Sequence, residues 1–166
     1  MRWAVSYRSD PIAKRIADRH YNRQNPDSHN FVPPGRCLVL LSVCQRALWV
    51  TSWPYAEYTL HAWAGAWVCS CFRNEGAGLG SELITEAVAA TVWAFGEPPD
   101  LGMITFVDRS KTKPKKHPGF CYRVAGFEHV GHTKVRKLHA LQLLPDRMPP
   151  AEPPINGTLD LFGRAL

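Results

Sequence analysis

An apolar run, Ala66 to Phe72, passes directly into Arg73-Asn74-Glu75-Gly76-Ala77-Gly78-Leu79-Gly80-Ser81-Glu82-Leu83-Ile84. Apolar residues then recur at helical spacing: Leu83, Ile84, Ala87, Val88, Val92 and Phe95. The pattern predicts a buried strand, a glycine-rich turn and a helix running to about Phe95. A junction of this kind is a ready-made anion site, because unpaired backbone N–H groups and the positive end of the helix dipole point the same way. The glycines Gly76, Gly78 and Gly80 let the chain approach a pyrophosphate closely, with Ala77, Leu79 and Ser81 supplying further amides. Arg73 adds a fixed charge with fork geometry. A dinucleotide fingerprint is excluded, since no acidic residue ends the next strand at the required distance after a G-x-G-x-x-G. A P-loop is excluded because no Gly-Lys-Ser/Thr follows. A glycine-rich βα turn without a ligand would share this composition.

The rest of the chain fills in around this unit. Trp3–Tyr7 alternates as a strand, and Asp10-Pro11 opens a helix that ends near His20. Tyr21 to Gly35 is a polar loop. Cys37–Val43 and Ala47–Trp53 form an antiparallel hairpin about Cys44-Gln45-Arg46. Met103–Val107 is a further buried strand, Phe120–Ala125 a short helix closed by Gly126, and Glu128–Thr133 and Leu138–Leu144 the last two strands. The expected architecture is α/β: a mixed, mostly antiparallel sheet with helices on both faces. Residues 1–145 are expected to form the folded domain. Residues 146–166 form a proline-rich tail expected to pack loosely, with Leu159, Leu161 and Phe162 as docking residues.

With 166 residues, 45% of them hydrophobic, the chain can bury one proper core. No apolar run is long enough to span a membrane, and Met1–Tyr7 lacks the apolar core of an export signal, so an intracellular location is expected. Five cysteines, Cys37, Cys44, Cys69, Cys71 and Cys121, include no C-x-x-C pair. On a strand, Cys69 and Cys71 are expected to share a face, as reduced core residues. The net charge of +6 points to an anionic partner. Much of it lies in one segment: Arg109, Lys111, Lys113, Lys115, Lys116 and His117. This exposed basic loop suits contact with phosphates, of nucleic acid or of a cofactor, or is a solvated charge run.

Three further groups could carry chemistry. His20-Tyr21 at a helix-to-loop junction combines a neutral-pH proton carrier with a phenol, or caps and packs the helix end. Asp108 follows a strand at its carboxyl end, where α/β sheets bind ligands, and serves as a base, a ligand or a turn former. Tyr122 in Pro118-Gly119-Phe120-Cys121-Tyr122 is a phenol on the short helix, or a core aromatic. Trp53, Tyr55 and Trp63 are aromatics expected chiefly to pack in the core, with stacking on a base as the alternative.

The Arg-x-x-Gly-x-Gly spacing resembles the acyl-coenzyme A pyrophosphate loop of the GCN5-related N-acetyltransferases (GNAT), and Tyr122-Arg123-Val124-Ala125-Gly126-Phe127 resembles the Tyr-x-x-x-Gly-Phe element of that fold. The element order β-α-loop-β-β-β-α-β-α-β-β is similar too, although the loop at Tyr21–Gly35 stands where a second helix is common. A narrower resemblance rests on Arg19-His20-Tyr21, Phe31-Val32-Pro33-Pro34-Gly35, the segment Phe72 to Ile84, and Thr105-Phe106-Val107-Asp108 followed by a lysine-rich stretch and Pro118-Gly119-Phe120-Cys121-Tyr122. These words, within roughly residues 15–135, are similar to the Mom family of phage DNA-modification proteins, best known from bacteriophage Mu. The resemblance implies an acetyl-CoA-dependent enzyme, acting in an infected bacterial cytoplasm on double-stranded DNA. The N6 amine of adenine would receive an acetamide- or carbamoyl-type group that shields the DNA from restriction. It further implies Arg73 at the cofactor phosphates, His20, Tyr21 and Asp108 in the active site or on an iron ion proposed for the family, and Tyr122 beside the acyl group. Asn22 stands where some members carry an acid. The basic residues Arg109 to Lys116 would meet DNA, and the exposed aromatics are compatible with a homodimer. Two other readings remain: an ordinary GNAT enzyme acting on a small-molecule or protein amine, and a DNA-binding protein without catalysis.

Overall fold

The computed structural model describes residues 1–112 and 117–158. Ten regular elements run in the order β1 (Trp3–Ser6), α1 (Pro11–Asp18), β2 (Arg36–Ser42), β3 (Ala47–Trp53), β4 (Trp67–Asn74), α2 (Gly80–Phe95), β5 (Met103–Val107), α3 (Phe120–Val124), β6 (Glu128–His132) and β7 (His139–Leu143). Asp10 caps α1, its Oδ1 accepting the Ile12 and Ala13 amides at 2.7 and 3.3 Å. The helix ends at Asp18, short of His20, because the Arg19 and His20 amides reach back only three residues, to Ile16 and Ala17. That tighter last turn throws His20 and Tyr21 off the helix axis.

The strands form one seven-stranded sheet in the order β1-β2-β3-β4-β5-β7-β6. All neighbours are antiparallel except β4 and β5. Helices cover both faces. On one, α2 and α3 bury Leu83, Ile84, Val88 and Tyr122 against Trp3, Trp49, Trp67 and Leu141. On the other, α1 buries Ala13, Ile16 and Ala17 against Val39, Leu48 and Val50. The mixed α/β architecture expected from the sequence is the one found, and β3, an interior strand next to the central β4, is buried from Ala47 to Ser52.

Two local features shape the middle of the sheet. First, Val50 pairs with Cys71 but Thr51 pairs with Cys69, so Ser70 is an extra residue, a bulge in β4. Second, β4 and β5 are paired only through Trp67–Met103, Val68–Ile104 and Cys69–Thr105. Beyond Cys69 the bulged strand bends away, and the two parallel strands part. The bulge also corrects the expectation for the cysteines. Cys69 joins the core under α2 and Cys71 the core under α1, because the inserted residue shifts the pleat by one. Burial pushes both thiols up to about 12, which keeps them protonated and inert.

The tail is less loose than its composition predicts. The Glu152 amide donates to Ala89 O on α2, and the Ile155 amide donates to Trp3 O on β1. Asn156 exchanges two hydrogen bonds with the Val5 backbone, at 2.6 and 3.0 Å. Leu159, Leu161 and Phe162 lie outside the described residues.

A buried polar chain fixes α2 on the sheet. Trp49 Nε1–H donates to Thr51 Oγ1 at 2.6 Å, the two threonine hydroxyls of Thr51 and Thr91 lie 3.0 Å apart, and Thr91 donates to Ala87 O at 2.8 Å. Thr51→Val would strand the Trp49 donor in the core and is expected to cost about 1–3 kcal/mol. Thr91→Val leaves Trp49 satisfied and should cost less, and urea unfolding of the two variants would show that order.

Candidate active site

Where β4 and β5 part, a cleft of about 860 Å³ opens at the carboxyl ends of the parallel pair. Cys69 to Asn74 form one wall, Thr105 to Val107 the other, and Leu79, Gly80 and Ser81 close one end. Tyr122 and its neighbours on α3 form the floor, and His20, Tyr21 and Asn22 lean over the mouth. Parallel sheets place ligand sites at such points.

The glycine turn divides into two parts. Asn74 Oδ1 accepts the amides of Gly76 and Ala77 at 3.0 and 2.9 Å, while Asn74 Nδ2 donates to Gly78 O at 2.8 Å. Those contacts hold the turn, so the Gly76 and Ala77 amides face Asn74 and not the cleft. Gly78, at φ +147°, has a conformation that L side chains rarely adopt, and a Cβ there would lie 2.7 Å from an Arg2 guanidinium nitrogen. Leu79, Gly80 and Ser81 line the cleft at the start of α2, and no side chain caps that end. The uncapped start of a 16-residue helix therefore borders the cavity, with the positive end of the helix dipole there. A pyrophosphate fits this end of the cleft by charge and by donor count.

Arg73 lines the same wall but is already held. Its Nε donates to Glu75 at 2.6 Å and its other arm donates to Arg19 O at 2.7 Å. Arg19 grips the same Glu75 carboxylate with two bonds, at 2.7 and 2.6 Å. The Arg19 contact first, then Arg73, brings the Glu75 carboxyl down to about 2. The end of α1 is thereby clamped to the end of β4, and the clamp positions the two residues that follow.

Those residues stack: the His20 and Tyr21 rings are 4.5 Å apart at 26°. Tyr21 Oη accepts the Asp108 amide at 3.4 Å, so His20, Tyr21 and Asp108 do come together from distant parts of the chain. Their donor atoms, however, are engaged. His20 Nδ1 accepts the Asn22 amide at 3.2 Å, and its ring also bonds the Phe72 backbone. Asp108 Oδ1 accepts both the amide and hydroxyl of Ser110, at 2.9 and 2.6 Å, which holds its carboxyl below the usual range. So arranged, His20 Nδ1 and Asp108 Oδ1 are occupied within the protein, and a metal ion would have to displace those bonds. Burial, then the Arg73 charge, brings the His20 imidazole down to about 4, so it is neutral at physiological pH. Beside it, Asn22 Oδ1 is buried with no partner among the described residues. An orphaned acceptor costs about 1–3 kcal/mol, and an N–H donor on a ligand would satisfy it.

On the cleft floor, Tyr122 packs edge-on against Phe72 and Phe127, with its hydroxyl 3.5 Å from Cys69 Sγ. Burial, then Cys69, raises this phenol well above its ordinary range, so it is a proton donor and not a base. Gly119 makes the approach of α3 feasible: at φ +68°, a Cβ there would meet Leu141 Cδ1 at 2.4 Å.

Of the basic loop, Arg109 and Lys111 form a short helical turn after Asp108, and Lys111 and His117 stand on the cleft rim. Lys113, Lys115 and Lys116 lie outside the described residues. Trp53 is half-buried at the edge of the core, between Trp67 and Phe95, whereas Tyr55 is 70% exposed. Trp63 lies against His61 and Phe106.

The sequence reading missed one cluster. His129, His132 and His139 meet on the β6–β7 hairpin, with one ring nitrogen of each within 4.8 Å of the others. Burial first, then the charge of His132, holds His129 and His139 below the ordinary histidine range. In the sequence the three histidines fall within eleven residues on two expected strands, with Gly131 between the first two.

Among the described residues no helix is long and apolar enough to cross a membrane. Comparison with protein-family models, with curated proteins and with solved structures gives no match.

The unfolded chain protonates at an ordinary histidine value of about 6.5, whereas folded His20 holds out to about 4. Its contribution to stability is therefore complete above about pH 6.5 and is lost as pH falls toward 4. At pH 5 the loss should be on the order of 1–2 kcal/mol, since the ring keeps some solvent contact. Urea unfolding of wild type and His20→Gln at pH 7 and 5 should show a shallower pH dependence in the variant.

Proposed function

We propose that this chain is an acetyl-CoA-dependent transferase that acts on the N6 amine of adenine in double-stranded DNA, as its resemblance to the Mom family implies. The observation that supports it most is the parting of β4 from β5 after Cys69, which opens a cleft with the uncapped start of α2 at one end and a buried phenol on its floor. Acetyl-CoA would supply an activated acyl group as a thioester. The Leu79, Gly80 and Ser81 amides would hold its pyrophosphate. Arg73 would add charge if it exchanged Glu75 for phosphate.

Burial keeps the Tyr122 phenol protonated at neutral pH, so it would offer a hydrogen bond to the departing thiolate on the cleft floor. The acceptor amine would enter past His20, Tyr21 and Asn22. An exocyclic amine is an N–H donor, the partner that buried Asn22 Oδ1 lacks. To reach the cleft, the base must leave the duplex stack. The net charge of +6, with Lys111 and His117 on the rim, favours a polyanionic substrate. Because the adenine N6 lone pair is delocalised into the ring, acyl transfer there demands more activation than transfer to an aliphatic amine. As the new N–C bond forms the C–S bond breaks, the amine proton ends on the CoA thiol, and the product would be an N6-acetyl (acetamide) group. A carbamoyl-type adduct would require a nitrogen donor besides acetyl-CoA.

The test is mass spectrometry of nucleosides from plasmid DNA of cells expressing the chain. A new deoxyadenosine adduct is expected, and its mass identifies the transferred group. Tyr122→Phe should lower the adduct yield by about 10²-fold or more while acetyl-CoA binding survives. Unmodified DNA from cells with folded protein, together with thioester turnover on polyamines or peptides, would overturn this reading in favour of an ordinary amine acetyltransferase.

A further inference from the structure

We propose that His129, His132 and His139 bind one divalent metal ion of the late first-row series, with Zn²⁺ the occupant their chemistry suits best. The site lies on the β6–β7 hairpin and involves none of the residues assigned to the active site.

Residues three apart on a regular strand face opposite sides of a sheet. His129 and His132 escape that rule through a second bulge. His129 pairs with Leu141, but Gly131 already pairs with Ala140 and His132 with His139, leaving Val130 as the extra residue. Gly131 takes φ +141°, in the region glycine favours, next to the insertion. Counted along β7, His129 and His132 are then two pleats apart and share a face, and His139, directly across from His132, shares it too. A bulge that aligns three imidazoles does for this hairpin what the Ser70 bulge does for the cleft: it re-aims side chains.

The spacing suits a metal. His139 Nδ1 and His129 Nε2 are 3.2 Å apart. Two nitrogens on one tetrahedral Zn²⁺, at about 2.0–2.1 Å each, stand about 3.3–3.4 Å apart. The His132 ring centroid is 4.4 Å from that of His139 and 5.0 Å from that of His129, so a rotamer adjustment closes the third side. His129 and His132 are exposed and His139 is half-buried, so an ion can enter directly from solvent. Three imidazoles without thiolate or carboxylate form a borderline-soft set, which selects Zn²⁺, Cu²⁺ or Ni²⁺ over Mg²⁺ or Ca²⁺. Three protein ligands leave a further coordination position open. Arg109 and Arg123 are close enough for His139 to feel their charge. They oppose the cation and favour an anion in the open position. His139 also pairs with Val107, the residue before Asp108, so the ion would sit beside the end of β5 that leads to the cleft rim.

The experiment uses the full chain, without an affinity tag, stripped with chelator and titrated calorimetrically with ZnCl₂. One equivalent is expected, with a dissociation constant at or below about 10 µM. Co²⁺ should give the visible absorption of a four- or five-coordinate site. His129→Gln, His132→Gln and the triple His→Gln variant are mostly exposed changes, and metal-free thermal melts should match wild type. Each single change should weaken binding by at least the ~10–100-fold that loss of an outer-shell partner causes, and the triple variant should bind no ion at this stoichiometry. Retained one-equivalent binding in the triple variant would overturn the proposal, as would binding lost through His20→Gln alone, or no binding by wild type below about 100 µM.

Discussion

The fold turns on one inserted residue. Ser70 has no register partner on β3, where only its hydroxyl reaches Val50 O, and β4 stays paired with β5 for three residues up to this insertion. The cleft lined by Cys69, Thr105 and Tyr122 opens where that pairing stops. The same insertion sends Cys69 and Cys71 into different cores. Much of the remaining structure serves the opening. The Trp49–Thr51–Thr91 chain ties the body of α2, whose first residues border the gap, to β3, and Gly119 lets α3 approach the sheet.

Around the mouth, charges that might contact a ligand are first used by the protein. Arg73 is the clearest case, since it shares Glu75 with Arg19 and ties the end of α1 to the end of β4. The clamp sets the place of His20 and Tyr21, whose own polar atoms are bonded to backbone. Of the polar groups leaning over the cleft, Asn22 Oδ1 is buried and unanswered among the described residues. The geometry thus separates residues that build the mouth from one that is still owed a partner.

The regular elements were legible because periodicity and punctuation carry them: Asp10-Pro11 before α1, the glycines before α2, and apolar runs for β3, β4 and β5. Asp108 was legible as a strand-end residue, but its grouping with His20, Tyr21 and Tyr122 rested on the family resemblance. His20, Tyr21 and Tyr122 line the cleft, while Asp108 meets Tyr21 through its backbone amide. What the sequence did not disclose depends on single-residue insertions. A bulge changes which face a side chain occupies without changing composition or hydrophobic pattern, so the separation of Cys69 from Cys71 and the meeting of His129 with His132 were both hidden. Hydrogen-bond competition was hidden for a related reason. Nothing in the order Arg73-Asn74-Glu75-Gly76-Ala77 says that Asn74 will take the Gly76 and Ala77 amides or that Glu75 will take Arg73.

The C-terminal segment, described through Thr158, has a consequence for how copies of this chain meet. An open sheet has two edges, each a row of unpaired backbone groups that another strand can extend. Here β1 is partly occupied by its own chain, through Ile155 on Trp3 and Asn156 on Val5. The opposite edge, β6, is short and kinked at Val130. The molecule thereby discourages continuous sheet growth in both directions, by self-coverage on one side and by irregularity on the other. Removing the segment would leave β1 as a straight, receptive template for another strand.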